Sequence, residues 1–173
     1  MKKIIATLLI LGALTTNANA QMVVDTEGQD TVPVKIEVQH VNSNIDYILD
    51  LAEYHCNKNT KYVFGAISTG DNPTEFDCSS FIQWLYGNIG IELPRVSYEQ
   101  AKVGQAVNIK DIKPGDIICF VTSDRNNGDI THVGLYIGNE LFAHARNSKM
   151  GTRVDKYEGY WVNTTRTIRR VAE

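Results

Sequence analysis

The chain is poor in cysteine and proline, has no excess of positive charge and no long apolar run. It holds three cysteines in 173 residues, Cys56, Cys78 and Cys119. A small exported domain stapled by disulfides usually carries an even set, so three cysteines are expected to be two buried thiols and one reactive one. A Cys56–Cys119 bridge is the alternative that export would permit. Basic side chains number 17 against 20 acidic ones, so nothing in the composition points to the basic face that nucleic-acid binding requires. The apolar stretch Ile4 to Leu14 is well short of the roughly 20 residues of a membrane span. It follows Lys2 and Lys3 and precedes Ala18-Asn19-Ala20, the pattern of a secretory signal peptide cleaved before Gln21. No cysteine lies just after that site to carry a lipid. The chain is therefore expected to be exported, to a periplasmic or extracellular location, without stable membrane insertion after cleavage. Without Lys2 and Lys3, 15 basic and 20 acidic side chains remain, a formal charge of −5.

What remains divides into residues 21–42, a leader segment in which Val34, Ile36 and Val38 allow one short strand, and a single domain over 43–173. A helix is expected from Ser43 or Asn44 to about Asn57–Asn59, with Ile45, Ile48, Leu49 and Ala52 on one face. His55 falls in its last turn as a surface or packed histidine. A second helix follows Phe76-Asp77-Cys78, with Asp77 as cap and Phe81, Ile82, Leu85 and Ile89 facing a core, and it stops near Gly87 to Gly90. Leu93 to Gln100 reads as a loop running into a short helix. Lys113-Pro114-Gly115-Asp116 is a turn leading to a strand over Ile117 to Val121. Ser123 to Asp129 is a polar loop. Strands are expected over His132 to Ile137, Glu140 to Ala145, Val154 to Tyr160 and Thr165 to Val171. Helices first and strands later argue an α+β fold with an antiparallel sheet.

Cys78 stands at a helix N-terminus, where the helix dipole and unpaired N–H groups favour thiolate. A cysteine nucleophile needs an imidazole base and a polar group that orients it. His132 and His144 lie on neighbouring strands, and they share a face only if their connection has an odd length or a bulge. The competing readings are two half-buried structural histidines, or a zinc site of Cys78, His132 and His144. Against zinc, the chain has no closely spaced Cys or His pair.

Six motifs then occur in order: Tyr62-x-x-Gly65, Phe76-Asp77-Cys78-Ser79-Ser80-Phe81, Leu93-Pro94-Arg95 with Ser97 and Gln100, Pro114-Gly115-Asp116, His132 to Gly138, and Phe142-x-His144-Ala145. Together they resemble the NlpC-type bacterial cell-wall cysteine endopeptidases, over nearly all of the chain beyond residue 44. The resemblance implies a papain-like fold, no metal or organic cofactor, and peptidoglycan stem peptides as substrate. The bond it implies joins D-γ-glutamate to the diamino acid. It further implies Cys78 as nucleophile, His132 as base, His144 as the orienting group and Tyr62 as a hydroxyl near the nucleophile. Asp77, Ser79, Arg95 and Ser97 match substrate-binding positions. Ala66 departs from the pattern, standing where relatives usually have a second glycine. A papain-like amidase or acyltransferase on a non-wall amide or ester, and an inactive wall-peptide-binding module, are the alternative functions.

Overall fold

A computed structural model describes residues 44–122 and 128–172. The expected signal peptide and leader lie outside the described residues, as does most of the 123–129 loop.

The chain opens with α1 (Asn44–Asn57), whose Ile48, Ala52 and His55 form the buried face. Asn59, in the left-handed region at φ 50°, turns the chain out of it. Strand β1 (Lys61–Tyr62) pairs in parallel with β2 (Glu75–Phe76), which leads directly into α2 (Cys78–Gly87). Asp77 caps α2 as expected, and Ser80 completes the motif. The Asp77 carboxylate accepts from the Ser80 N–H at 2.8 Å, and the Ser80 hydroxyl accepts from the Asp77 N–H at 2.9 Å. This reciprocal pairing satisfies two end groups of the helix and fixes where it starts. Phe81, Ile82 and Leu85 are fully buried, and Trp84 and Tyr86 join them, so α2 is the central helix rather than a half-exposed one. A short helix α3 (Ser97–Gln100) follows. Buried Gln100 donates to Ser79 O at 2.9 Å and to Pro94 O at 2.8 Å, tying this loop to the first turn of α2.

The remaining strands are β3 (Gln105–Val107), β4 (Ile117–Phe120), β5 (His132–Gly138), β6 (Leu141–Asn147), β7 (Gly151–Lys156) and β8 (Thr165–Arg170). A helix α4 (Tyr160–Thr164) precedes β8. The six form an antiparallel sheet in the order β3-β8-β4-β5-β6-β7. Alternation along the strands sends Ile117, Cys119, Val133, Leu135, Ala143 and Ala145 to the face covered by α1 and α2. Ile118, Phe120, Tyr136, Phe142 and Ile168 go to the other face, where Tyr157 and Trp161 cover them. The α+β architecture stands as expected. Four details differ. The seventh strand covers 151–156 rather than 154–160, α4 begins at the last residue of that expected strand and fills the gap before β8, and β3 and the β1–β2 pair were not foreseen. Asp116 does more than make a turn: its carboxylate accepts from Arg170 Nε at 2.8 Å and locks β4 to β8.

Candidate active site

The β5–β6 connection decides where the histidines fall. Gly138 pairs with Leu141 across Asn139 and Glu140, both left-handed at φ 52° and 57°, and the register shifts between Tyr136 and Gly138. A two-residue turn with a bulge thus meets the expectation that the connection be odd or bulged. His132 is not directly opposite His144, however. Leu135 pairs with Ala143 and Tyr136 with Phe142, and continuing that register sets His144 opposite Gly134. His132 lies diagonally across the same face. Gly134 matters here, because a Cβ would sit 2.6 Å from the Phe142 ring.

The imidazoles meet, with His132 Nε2 2.8 Å from His144 Nδ1. Sequence reasoning missed the next member. His144 Nε2 lies 3.2 Å from the Asp155 carboxylate, which also accepts from Arg153 Nε at 2.6 Å and from Arg146. Strand β7 places Phe142 opposite Asp155 and His144 opposite Arg153, so Asp155 shares the histidines' face. Burial opposes its charge, but His144, Arg153 and Arg146 win and hold its carboxyl well below the usual range. An ionised carboxylate only accepts, so the network assigns the His144 proton to Nε2. Neutral His144 then accepts at Nδ1, His132 donates from Nε2, and His132 Nδ1 is left with its lone pair. Burial, with His144 and Arg146 adding to it, pushes the His132 imidazole well below its ordinary value, and burial lowers His144 too. The burial is aromatic: the Trp161 ring centroid lies 5.7 Å from His132 and 4.9 Å from His144.

Cys78 is 8% exposed at the first turn of α2. The N–H groups of Val133 and Ser79 act on its sulfur, which sets the thiol beside the residue that follows His132. The dipole and N–H groups that favour thiolate here are outweighed. Burial, reinforced by the Asp77 carboxylate, pushes the thiol up to about 11, and the N–H groups and Arg95 offset only part of this. Thiol and imidazole both rest neutral, and among the described contacts no hydrogen bond joins them. Tyr62 is half-buried, and burial together with the neighbouring Cys78 raises its phenol to about 12, so it stays a donor.

Asp77, Ser79 and Arg95 form one cluster. Arg95 donates to Asp77 at 2.5 and 3.1 Å, to Ser79 Oγ at 2.9 Å and to Ala66 O at 2.7 Å. The Gly65 N–H reaches Asp77 at 3.0 Å, so the loop after Tyr62 is clamped to the start of α2. Burial works against the Asp77 charge, but Arg95 and the backbone donors keep its carboxyl below its ordinary value. Ser97 stands apart, donating to Ile130 O at 3.3 Å. All three cysteines are free, which removes the Cys56–Cys119 bridge. Among the described residues no group of three or more His, Cys, Asp or Glu side chains could hold a metal ion, and no helix is long and apolar enough to cross a membrane.

A thiol at a helix N-terminus, next to a strand whose imidazole is backed by a second polar ring, defines the papain-like class of cysteine hydrolase. A sequence model of the NlpC/P60 family matches residues 59–170. The chain belongs to that family, one of cysteine hydrolases that cut peptidoglycan. It is 37% identical over 113 residues to the "Probable endopeptidase NlpC homolog" of Haemophilus influenzae, covering 65% of this chain and 56% of that one. It is 29% identical over 175 residues to the "Murein DD-endopeptidase MepS/Murein LD-carboxypeptidase" of Escherichia coli K12, covering 96% of this chain and 89% of that one. Among solved structures, NlpC2 from Trichomonas vaginalis matches with a TM-score of 0.66 and 32% identity, over 78% of this chain and 48% of that one. The chain thus spans about half of the Haemophilus and Trichomonas relatives and most of the Escherichia one.

Proposed function

We propose that this protein is an exported cysteine endopeptidase that hydrolyses peptidoglycan stem peptides between D-γ-glutamate and the diamino acid, through a thioester on Cys78. The observation that carries it is the relay from Asp155 through His144 to His132, which leaves a lone pair on His132 Nδ1, one residue before the Val133 N–H that acts on the buried Cys78 sulfur. His132 takes the Cys78 proton as the sulfur attacks the scissile carbonyl. Because both groups rest neutral, the ion pair forms during attack rather than before it. Tyr62 and the Cys78 N–H donate to the developing oxyanion. Imidazolium at His132 gives its proton to the leaving amine, and the same ring then draws a proton from the water that cleaves the thioester. His144 and Asp155 are positioning residues: they hold the tautomer and offset the charge that appears on His132. Asp77, Ser79 and Arg95 wall the acyl side of the groove, with Ser97 further along. No metal or cofactor enters these steps.

The name of the Escherichia relative gives a second reading, cleavage beside a D,D cross-link or of a terminal D-residue. Purified protein incubated with muropeptides of both common diamino acids, beside Cys78→Ala, separates the two by product masses. Products split after D-γ-glutamate are expected, and are expected to vanish in the variant. Products split only at D-alanine would replace the first reading by the second, and intact muropeptides throughout would remove both.

A further inference from the structure

A cleft of about 240 Å³ is lined by Thr122, His132, Arg146, Asn147, Tyr160 and Trp161. Its volume is below the about 300–1,000 Å³ of a site for a whole small molecule, so it suits one amino-acid side chain. Arg146 and Asn147 bring donors to it. The Arg146 guanidinium lies over Trp161, Cζ 5.2 Å from the ring centroid, with the side chain 31% exposed. Asn147 spends its carbonyl oxygen on the N–H groups of Lys149 and Met150, at 3.0 and 3.1 Å, which leaves its NH₂ as the available group. Among the described residues no acidic side chain lines the cleft. Asp155, which Arg146 touches, is shared with Arg153, so two guanidiniums face one carboxylate and this corner keeps a net positive charge. The rest of the chain is acidic overall, which makes a local cation that stays partly exposed stand out.

We propose that this cleft is a carboxylate-binding subsite for the residue on the leaving side of the scissile bond, with Arg146 as the group that selects it. The inference rests on the reading above, because it takes His132 as the group that protonates the leaving amine. A residue attached to that amine lies against the cleft His132 lines. A planar guanidinium stacked on an indole offers a fixed edge to a carboxylate, where a lysine would offer only a point charge. A diamino acid with a free carboxylate on its side chain fits these donors. One ending in an ammonium group does not, since it would meet Arg146 charge to charge.

Two synthetic stem peptides test this, identical except that the leaving diaminopimelate carries a free side-chain carboxylate in one and its amide in the other. The wild type is expected to favour the acid by about tenfold or more in kcat/KM. In Arg146→Met the ratio is expected to fall to about 1. Any harm to Asp155 slows both peptides alike and cancels in the ratio. The leaving fragments are also titrated into the Cys78→Ala protein and followed by Trp161 fluorescence. If neither peptide is cut but the acid fragment binds at least tenfold better, and Arg146→Met abolishes that preference, the subsite stands and the proposed bond falls. Equal rates and equal affinities for acid and amide, or a preference that survives Arg146→Met, overturn the subsite.

Discussion

Replacing Asp155 separates a positioning relay from a chance cluster of polar groups. One carboxylate oxygen serves His144 and Arg146, and the other serves Arg153. Asp155→Ala removes the only group in the relay that fixes a proton by being unable to donate. His144 can then turn its protonated nitrogen toward His132, which puts a hydrogen on the His132 atom that must receive the Cys78 proton. The Arg146 and Arg153 charges also lose their counterion and oppose imidazolium formation. A hydrogen bond to a charged group contributes about 1.5–3 kcal/mol, which corresponds to about 10- to 150-fold in kcat. Asp155→Asn behaves differently. Its single carbonyl oxygen does best where two donors meet, at His144 and Arg146, leaving its NH₂ toward Arg153. The tautomer survives although the counterion charge is lost, so kcat is expected to fall less than in the alanine variant. The assay is turnover of a stem peptide together with the rate of Cys78 alkylation by iodoacetamide across pH, with circular dichroism as the check on folding. Both rates should fall further in the alanine variant than in the asparagine one. A folded Asp155→Ala protein with wild-type kcat and an unchanged alkylation profile would refute the relay.

Tyr62→Phe removes one oxyanion donor, for which a loss of about 10²–10³ in kcat is expected. Alkylation of Cys78 should stay near the wild-type rate, because the phenol acts on the carbonyl and not on the thiol; a wild-type kcat would take Tyr62 out of the mechanism. Acid stability tests the buried His55, which sits against Phe76 and Trp84 with Nδ1 2.9 Å from Thr60 Oγ1 and Nε2 unpartnered. Burial, with Lys58 adding to it, holds this imidazole down to about 4, so the unfolded chain takes up its proton first. Its contribution is complete above pH 6.5 and is lost as pH falls toward 4, a difference of about 3 kcal/mol. Urea midpoints at pH 7 and 4.5 should therefore diverge less in His55→Phe than in the wild type, and equal divergence would count against it.

Much of the site is legible in the chain because it depends on local chemistry. Asp77 announces the start of α2, and a cysteine directly after a cap must stand in the first turn. The two histidines follow from strand parity once a bulge is allowed. Asp155 and Arg146 were not legible because their partners lie across strands, so they depend on where β7 begins. Placing that strand at 154–160 passes over the Asn147–Gly151 pairing, and only that register turns Asp155 toward His144. The short α4 has no side-chain cap and enters through Gly159 at φ 51°, so nothing local distinguishes it from the end of a strand. The raised thiol was missed for another reason. Dipole and N–H groups are visible in a sequence, whereas the burial that outweighs them is a property of packing.

The thioester is the step on which the mechanism stands. Protein mixed with a stem peptide and acid-quenched within the first turnover can be weighed intact and mapped by fragmentation. An adduct with the mass of the acyl half, carried on Cys78 and absent from Cys56 and Cys119, is the expected result. Turnover with no adduct at any quench time, or an adduct on another side chain, would contradict it.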